Sequence, residues 1–123
     1  MNNKKDSFLV NRIKSVGFAF KGAYILMTTE ASIKVQIIIG IVMTILGFYV
    51  GLSATEWCIQ TLVIAIIMAI EGANTAIEEV ADFIHPEQHP KIGLIKDLAA
   101  GAVFIFAVAA VIIACIIYIP KLL

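Results

Sequence analysis

The sequence predicts an all-α membrane protein built as a single domain, and three observations carry that prediction. Of its 123 residues 61% are hydrophobic and only 15% charged, and the mean hydropathy is +1.00, far outside the range of water-soluble domains. Two stretches, Val35–Leu52 and Leu98–Pro120, carry no charged residue, and each is long enough to cross a hydrocarbon core of about 30 Å, which takes roughly 20 helical residues. A further apolar run opens at Trp57 and continues to Ile70 before meeting acidic residues. Three crossings within one domain, residues 1–123, follow.

Taken in order, Phe8, Ile13, Val16, Phe18, Phe20, Ile25 and Leu26 alternate with Arg12, Lys14 and Lys21. That mixture suits a basic amphipathic helix over about residues 8–29, lying in the membrane surface. Gly17 and Gly22 interrupt it, each lowering helix propensity by roughly 1 kcal/mol relative to Ala, so a bend is expected there, or in the functional reading close approach of a lipid headgroup. Glu30 precedes Lys34 by four residues, the spacing of an exposed helical ion pair. The first span is expected over about residues 33–52. Ser53-Ala54-Thr55-Glu56 then reads as a short turn capped by Ser53 or Thr55. Trp57 is an interfacial anchor opening a second span over about residues 57–82. The two prolines of His85-Pro86-Glu87-Gln88-His89-Pro90 end it. Lys96-Asp97 opens the third span, over about residues 96–119, whose Ala99, Ala100, Gly101 and Ala102 permit close helix packing.

The basic residues set an orientation. Lys4, Lys5, Arg12, Lys14, Lys21 and Lys34 precede the first span, Lys91 and Lys96 lie between the second and third, and only Lys121 follows. Positive charge marks the cytoplasmic side, so the N-terminus and the loop around His85–Lys96 are expected inside and the C-terminus outside. The polar, charged N-terminal residues do not resemble a cleaved signal peptide. A net charge of zero gives no sign of a nucleic-acid partner. Cys58 and Cys115 lie in apolar helix without metal-binding or redox spacing, and packed thiols are expected.

The chemistry is expected where carboxylates stand in place of hydrocarbon. On a helix advancing 100° per residue, Glu71, Asn74, Thr75, Glu78 and Asp82 stay within about 60° of a common direction. Counting from Trp57 at 1.5 Å per residue, Glu71 falls about 21 Å across and Glu78 about 31 Å across, at the predicted cytoplasmic edge. Ionisable groups at such depth imply function. With Glu30, Glu87, Lys96 and Asp97 they form a mainly acidic set at one interface. Hard cations such as Mg²⁺ take such oxygen ligands and arrive with substrate phosphates, a lysine beside them neutralises phosphate charge, and a desolvated carboxylate can accept a proton from a lipid hydroxyl. This is the layout of a lipid phosphotransferase. His85 and His89 are read as loop-surface histidines or a nucleotide contact, because Pro86 spoils the helical geometry a metal pair would need. A P-loop is absent: Gly17–Gly22 has the glycine spacing but continues Ala23-Tyr24 where Lys and Ser or Thr are required.

Glu71-Gly72-Ala73-Asn74-Thr75-Ala76-Ile77-Glu78-Glu79-Val80-Ala81-Asp82, followed by Lys96-Asp97-Leu98-Ala99-Ala100-Gly101-Ala102, resembles the signature of the small prokaryotic diacylglycerol kinase and undecaprenol kinase family. Phe20-Lys21-Gly22, Thr29-Glu30 and Glu56-Trp57 fit the same pattern, and the resemblance covers nearly the whole chain. It implies a homotrimer of three-span subunits in the inner (plasma) membrane, with active sites shared between neighbours at the cytoplasmic interface, ATP as phosphoryl donor and Mg²⁺ as cofactor. By motif position, Glu71 would be the general base on the lipid hydroxyl and Asn74 a positioning group beside it. Glu30 and Glu78 would be the Mg²⁺ ligands, Lys96 and Asp97 would contact the nucleotide, and Glu87 and His89 would supply the loop side of its pocket. Asn11 followed by Arg12, Phe20 and Gln36 depart from the diacylglycerol kinase pattern on its lipid-facing side, and the Ala99–Ala102 run is closer to the undecaprenol kinase branch. A different class, a small oligomeric proton-coupled exporter using Glu71 as proton carrier, needs a polar route across the whole bilayer, for which the outer half offers only Gln60 and Thr61. A noncatalytic assembly or anchor protein would explain the small residues but not the carboxylates.

Overall fold

The computed structural model describes residues 5–123, so Lys4 of the basic N-terminal group lies outside the described residues. Four helices follow one another: α1 (Phe8–Thr29), α2 (Ala31–Val50), α3 (Ala54–Ile84) and α4 (Pro90–Leu122). Those from α2 to α4 are each long and apolar enough to cross a membrane.

Each break has a local cause. Ser7 caps α1 by accepting the Val10 amide at 3.3 Å. Glu30 adopts an extended conformation, φ −90° and ψ 119°, which separates α1 from α2. Gly51 closes α2 at φ 73°, a left-handed conformation that a residue with a Cβ adopts at a cost. Ser53 and Glu56 then cap α3 reciprocally: the Ser53 hydroxyl oxygen accepts the Glu56 amide at 3.2 Å, and Glu56 Oε1 accepts the Ser53 amide at 2.9 Å. Such a box satisfies two of the orphan donors at a helix start. Pro86 disfavours helical geometry at His85, and α3 stops at Ile84.

Several expectations need correction. α1 runs through Gly17 and Gly22 without interruption; a Cβ added at either would meet nothing within 4 Å, so these glycines serve no close approach within the chain. α4 begins at Pro90 rather than near Lys96, because proline suits the first helical position, where no amide bond is lost, and His89 caps it. The same helix passes through Pro120 to Leu122. Among the described ion pairs Glu30 and Lys34 are not joined; the pairs formed are Lys14–Asp6, Lys96–Asp82 and Lys121–Glu56. Cys58 and Cys115 are free thiols exposed on the chain rather than packed inside it, since both sit on helix faces turned away from the contact of α2, α3 and α4.

The long helix α3 lies between its neighbours, packing along α4 and against α2. At the end of the bundle that holds the Gly51–Ser53 turn, a Cβ at Gly47 would stand 2.7 Å from the Trp57 ring and 2.9 Å from Leu52, so the indole covers backbone that only glycine leaves bare. Leu52, Ile117 and Tyr118 form a buried cluster there, backed by Met43, Leu46, Val50 and Ile113. A polar node completes it. Gln60, 7% exposed, donates its amide to the Met43 carbonyl at 3.1 Å, and the Tyr118 hydroxyl sits against Gln60 Oε1 and 3.2 Å from the same carbonyl. One glutamine thus ties three helices. Elsewhere many large apolar side chains, among them Phe48, Phe83, Phe104 and Ile105, face outward, as hydrocarbon-facing surfaces do.

Candidate active site

At the opposite end, beside the loop of residues 85–89, α3 emerges as a polar helix. Glu71, Asn74, Thr75 and Glu78 are all half-buried, while Asp82 and Glu79 are exposed. Spacings of three and four residues put neighbours on one face, and the bonding follows. Asn74 Nδ2 donates to Glu78 Oε1 at 3.1 Å. Committing the amide nitrogen this way leaves Asn74 Oδ1, a buried atom, without a partner among the described residues. The Thr75 hydroxyl donates back to the Glu71 carbonyl at 3.1 Å, which leaves the Glu71 carboxylate unengaged by it.

Next to Glu71 stands Gly72, where a Cβ would come within 2.9 Å of Leu26 Cδ1. The C-terminal part of α1 therefore leans on α3 one residue from the first carboxylate. Glu30 follows within a turn, its amide bonded to the Leu26 carbonyl at 3.2 Å, and is itself half-buried.

A second part of the site lies in the loop. Lys96, half-buried on α4, donates to Asp82 Oδ1 at 2.6 Å, pinning the two helices together. Around them is an open cleft of about 490 Å³ whose lining includes Asp82, His85, Glu87, His89 and Lys96. His89 Nδ1 accepts the Lys91 amide at 3.0 Å, so capping uses one ring nitrogen and not Nε2. His85 Nδ1 lies 2.7 Å from the Glu87 carbonyl, and the two imidazoles meet edge to face with centroids 5.3 Å apart.

The structure thus gathers the expected residues into two groups. Lys96, Glu87 and His89 share the cleft; Glu71, Asn74 and Glu78 form the stripe; Asp97 is exposed and lines neither. Glu30 belongs to neither group; it lies four residues beyond Leu26, the side chain that meets Gly72. No three His, Cys, Asp or Glu side chains among the described residues converge as a metal site. Asp82 acquires a role that the sequence did not suggest, as the partner of Lys96, and Leu26 another, as the side chain that seats α1. Neither left a local signal, because each partner comes from a different helix.

Three membrane-crossing helices with carboxylates and an amide lining one face at one end define a multi-pass membrane protein with a polar site at its bundle end. A sequence profile of the prokaryotic diacylglycerol kinase family matches residues 17–118. The undecaprenol kinase of Bacillus subtilis (strain 168) is 38% identical over 123 residues, covering 99% of this chain and 100% of that protein. The diacylglycerol kinase of Escherichia coli (strain K12) is 29% identical over 104 residues, 85% of each chain, and that of Haemophilus influenzae is 27% identical over 101 residues, 82% of this chain and 86% of the other. The chain belongs to the prokaryotic diacylglycerol kinase family, and it is a membrane lipid kinase.

Proposed function

We propose that the protein transfers the terminal phosphoryl group of ATP, in the presence of Mg²⁺, to the hydroxyl of undecaprenol or diacylglycerol at the cytoplasmic interface of the inner membrane. The observation that carries this reading is the unpartnered, buried Oδ1 of Asn74, set between Glu71 and Glu78 on the face of α3 where apolar helix gives way to polar. A buried acceptor without a donor is costly, and the single O–H of an incoming substrate hydroxyl supplies that donor as it docks, before the proton turns to the neighbouring Glu71.

In this reading Glu71 accepts the hydroxyl proton as phosphoryl transfer proceeds, and Asn74 orients that hydroxyl while its amide nitrogen keeps Glu78 in place. Glu78 and Glu30 would hold Mg²⁺. The donor set fits, since this cation takes oxygen ligands and is held through one or two carboxylates completed by substrate phosphates. When bound, the ion neutralises charge on the phosphates being transferred. Lys96, Asp97, Glu87 and His89 receive the nucleotide, with Lys96 exchanging its Asp82 bond for phosphate oxygens. Phosphoryl transfer depends chiefly on positioning and on charge neutralisation, and these side chains supply both. We further propose a homotrimer whose neighbouring subunits complete each site, α1 lying as an amphipathic helix in the membrane surface. It accords with a stripe left half-exposed on the single chain.

An exporter would need water or polar groups to continue past Glu71. The side chain best placed for this, Gln60, is buried and bonded to Met43 and Tyr118, which favours the kinase reading. The test is ³²P transfer from ATP and Mg²⁺ by purified protein in bilayers, with undecaprenol and diacylglycerol offered separately and together. Labelling of either is expected; folded protein that labels neither contradicts the proposal.

A further inference from the structure

On α3, Asn74, Glu78 and Asp82 follow one another at four-residue intervals, each turned about 40° and advanced about 6 Å from the last. Lys96 faces them from α4, its ammonium donating to Asp82 Oδ1 at 2.6 Å. Glu78 also acts on that ammonium electrostatically, so one cation stands in the field of two carboxylates. It is bonded to the one nearer the loop. Glu78 is held from the other side, its Oε1 accepting from Asn74 Nδ2 at 3.1 Å.

Stability does not account for the pair. The Lys96 and Asp82 side chains are 38% and 57% exposed, and exposed ion pairs contribute little to folding. What the pair decides is where the ammonium stands. A lysine carries a compact charge on a flexible four-carbon stem, so without Asp82 the same stem delivers it one turn further along α3, to Glu78. There it would take carboxylate lone pairs that a divalent cation needs, because an ammonium and a hard cation compete for the same oxygens. Asn74 does not prevent this, since its amide engages Oε1 and not Oε2.

We propose that Asp82 is a positioning residue for the divalent-cation site: it draws Lys96 away from Glu78 while the site is empty, keeping Glu78 open to the ion, and releases Lys96 to the phosphates once nucleotide is bound. The inference rests on the reading of Glu78 as a Mg²⁺ ligand given above and adds a residue outside that ligand set. In this role Asp82 touches neither ion nor substrate and acts only through Lys96. Two carboxylates one turn apart thus take different cations, the half-buried Glu78 the metal and the exposed Asp82 the lysine.

Losing Asp82 also removes a negative charge and a link between two helices, and the experiment separates these effects from the movement of Lys96. It measures binding of Mn²⁺ alone, which shares the oxygen ligands of Mg²⁺, from the free-ion EPR signal in titrations of purified protein in bilayers without nucleotide. Asp82→Asn should weaken binding about tenfold, whereas Asp82→Glu, which keeps an acceptor for Lys96, should stay within about twofold of native. Lys96→Met should bind at least as tightly as the native protein, and adding Asp82→Asn to it should change the affinity by less than about twofold. Native-like binding by Asp82→Asn overturns the proposal. So does weakening by Asp82→Asn in both backgrounds, which would mean that Asp82 acts through its own charge. Lys96→Met weakened as much as Asp82→Asn overturns it too, since the pair would then matter only by joining the helices. The metal reading is tested separately by Glu78→Gln in the same titration: binding like the native protein's overturns Glu78 as a ligand, and this inference with it.

Discussion

The two ends of this bundle are built by opposite rules. At the turn end, polar side chains are paired or serve as caps: Glu56 bonds Ser53 and Lys121, and Gln60 bonds Met43 and Tyr118, while Gly47 lets Trp57 lie on bare backbone. At the loop end, carboxylates crowd one face of α3, Asn74 keeps an unpaired acceptor, and α1 leans on α3 through Leu26 at Gly72. The first end fastens three helices; the second, where Lys96 meets Asp82 and Asn74 meets Glu78, still leaves Asn74 Oδ1 without a partner among the described residues. Satisfied buried polar groups rigidify, and an unsatisfied one marks a place where something else binds. Under the proposed function, the difference gives stability to one end and chemistry to the other.

Substitutions at each end can break that division. The largest effect is expected from Glu71→Gln, which keeps shape and removes the base: turnover should fall by about 10² or more, or about 2.7 kcal/mol in barrier, with nucleotide binding retained in a fluorescent-nucleotide titration. Glu30→Gln and Glu78→Gln should each raise the Mg²⁺ concentration for half-maximal activity by about tenfold or more; unchanged titrations in both would remove these residues as ligands. Gly47→Val forces a side chain into Trp57 and Leu52, and overpacking of this kind costs about 1–3 kcal/mol, seen as earlier thermal unfolding with turnover per folded protein unchanged. Lys121→Ala breaks the pair with Glu56 at 3.1 Å, and because exposed pairs contribute little, Tm should move by about 1 °C or less.

Much of the fold was legible because hydropathy and local capping decide it. Val35–Leu52 and Leu98–Pro120 announce spans by their lack of charge, and of the two caps the sequence offered, Ser53 and Thr55, the structure uses Ser53, with Glu56 completing the box. The acidic stripe was legible too, since Glu71, Asn74 and Glu78 belong to one helix and sequence spacing fixes their common face. What escaped depends on other helices or on context. Pro90 reads as a breaker but starts α4, because a first-turn proline forfeits no hydrogen bond. Gly17 and Gly22 read as a bend, yet a helix absorbs isolated glycines at a modest cost. The Gln60–Tyr118 bond, the Lys96–Asp82 pair and the seating of Leu26 on Gly72 each join residues from separate helices, and no local pattern encodes such meetings.

The central claim, chemistry at the loop end and stability at the turn end, is tested most directly by placing Glu71→Gln and Gly47→Val in one bilayer assay that records both lipid phosphorylation and thermal unfolding. The account predicts that Glu71→Gln loses turnover by about 10² while unfolding like the native protein, and that Gly47→Val unfolds earlier while keeping native turnover when folded. Near-native turnover in Glu71→Gln would contradict it.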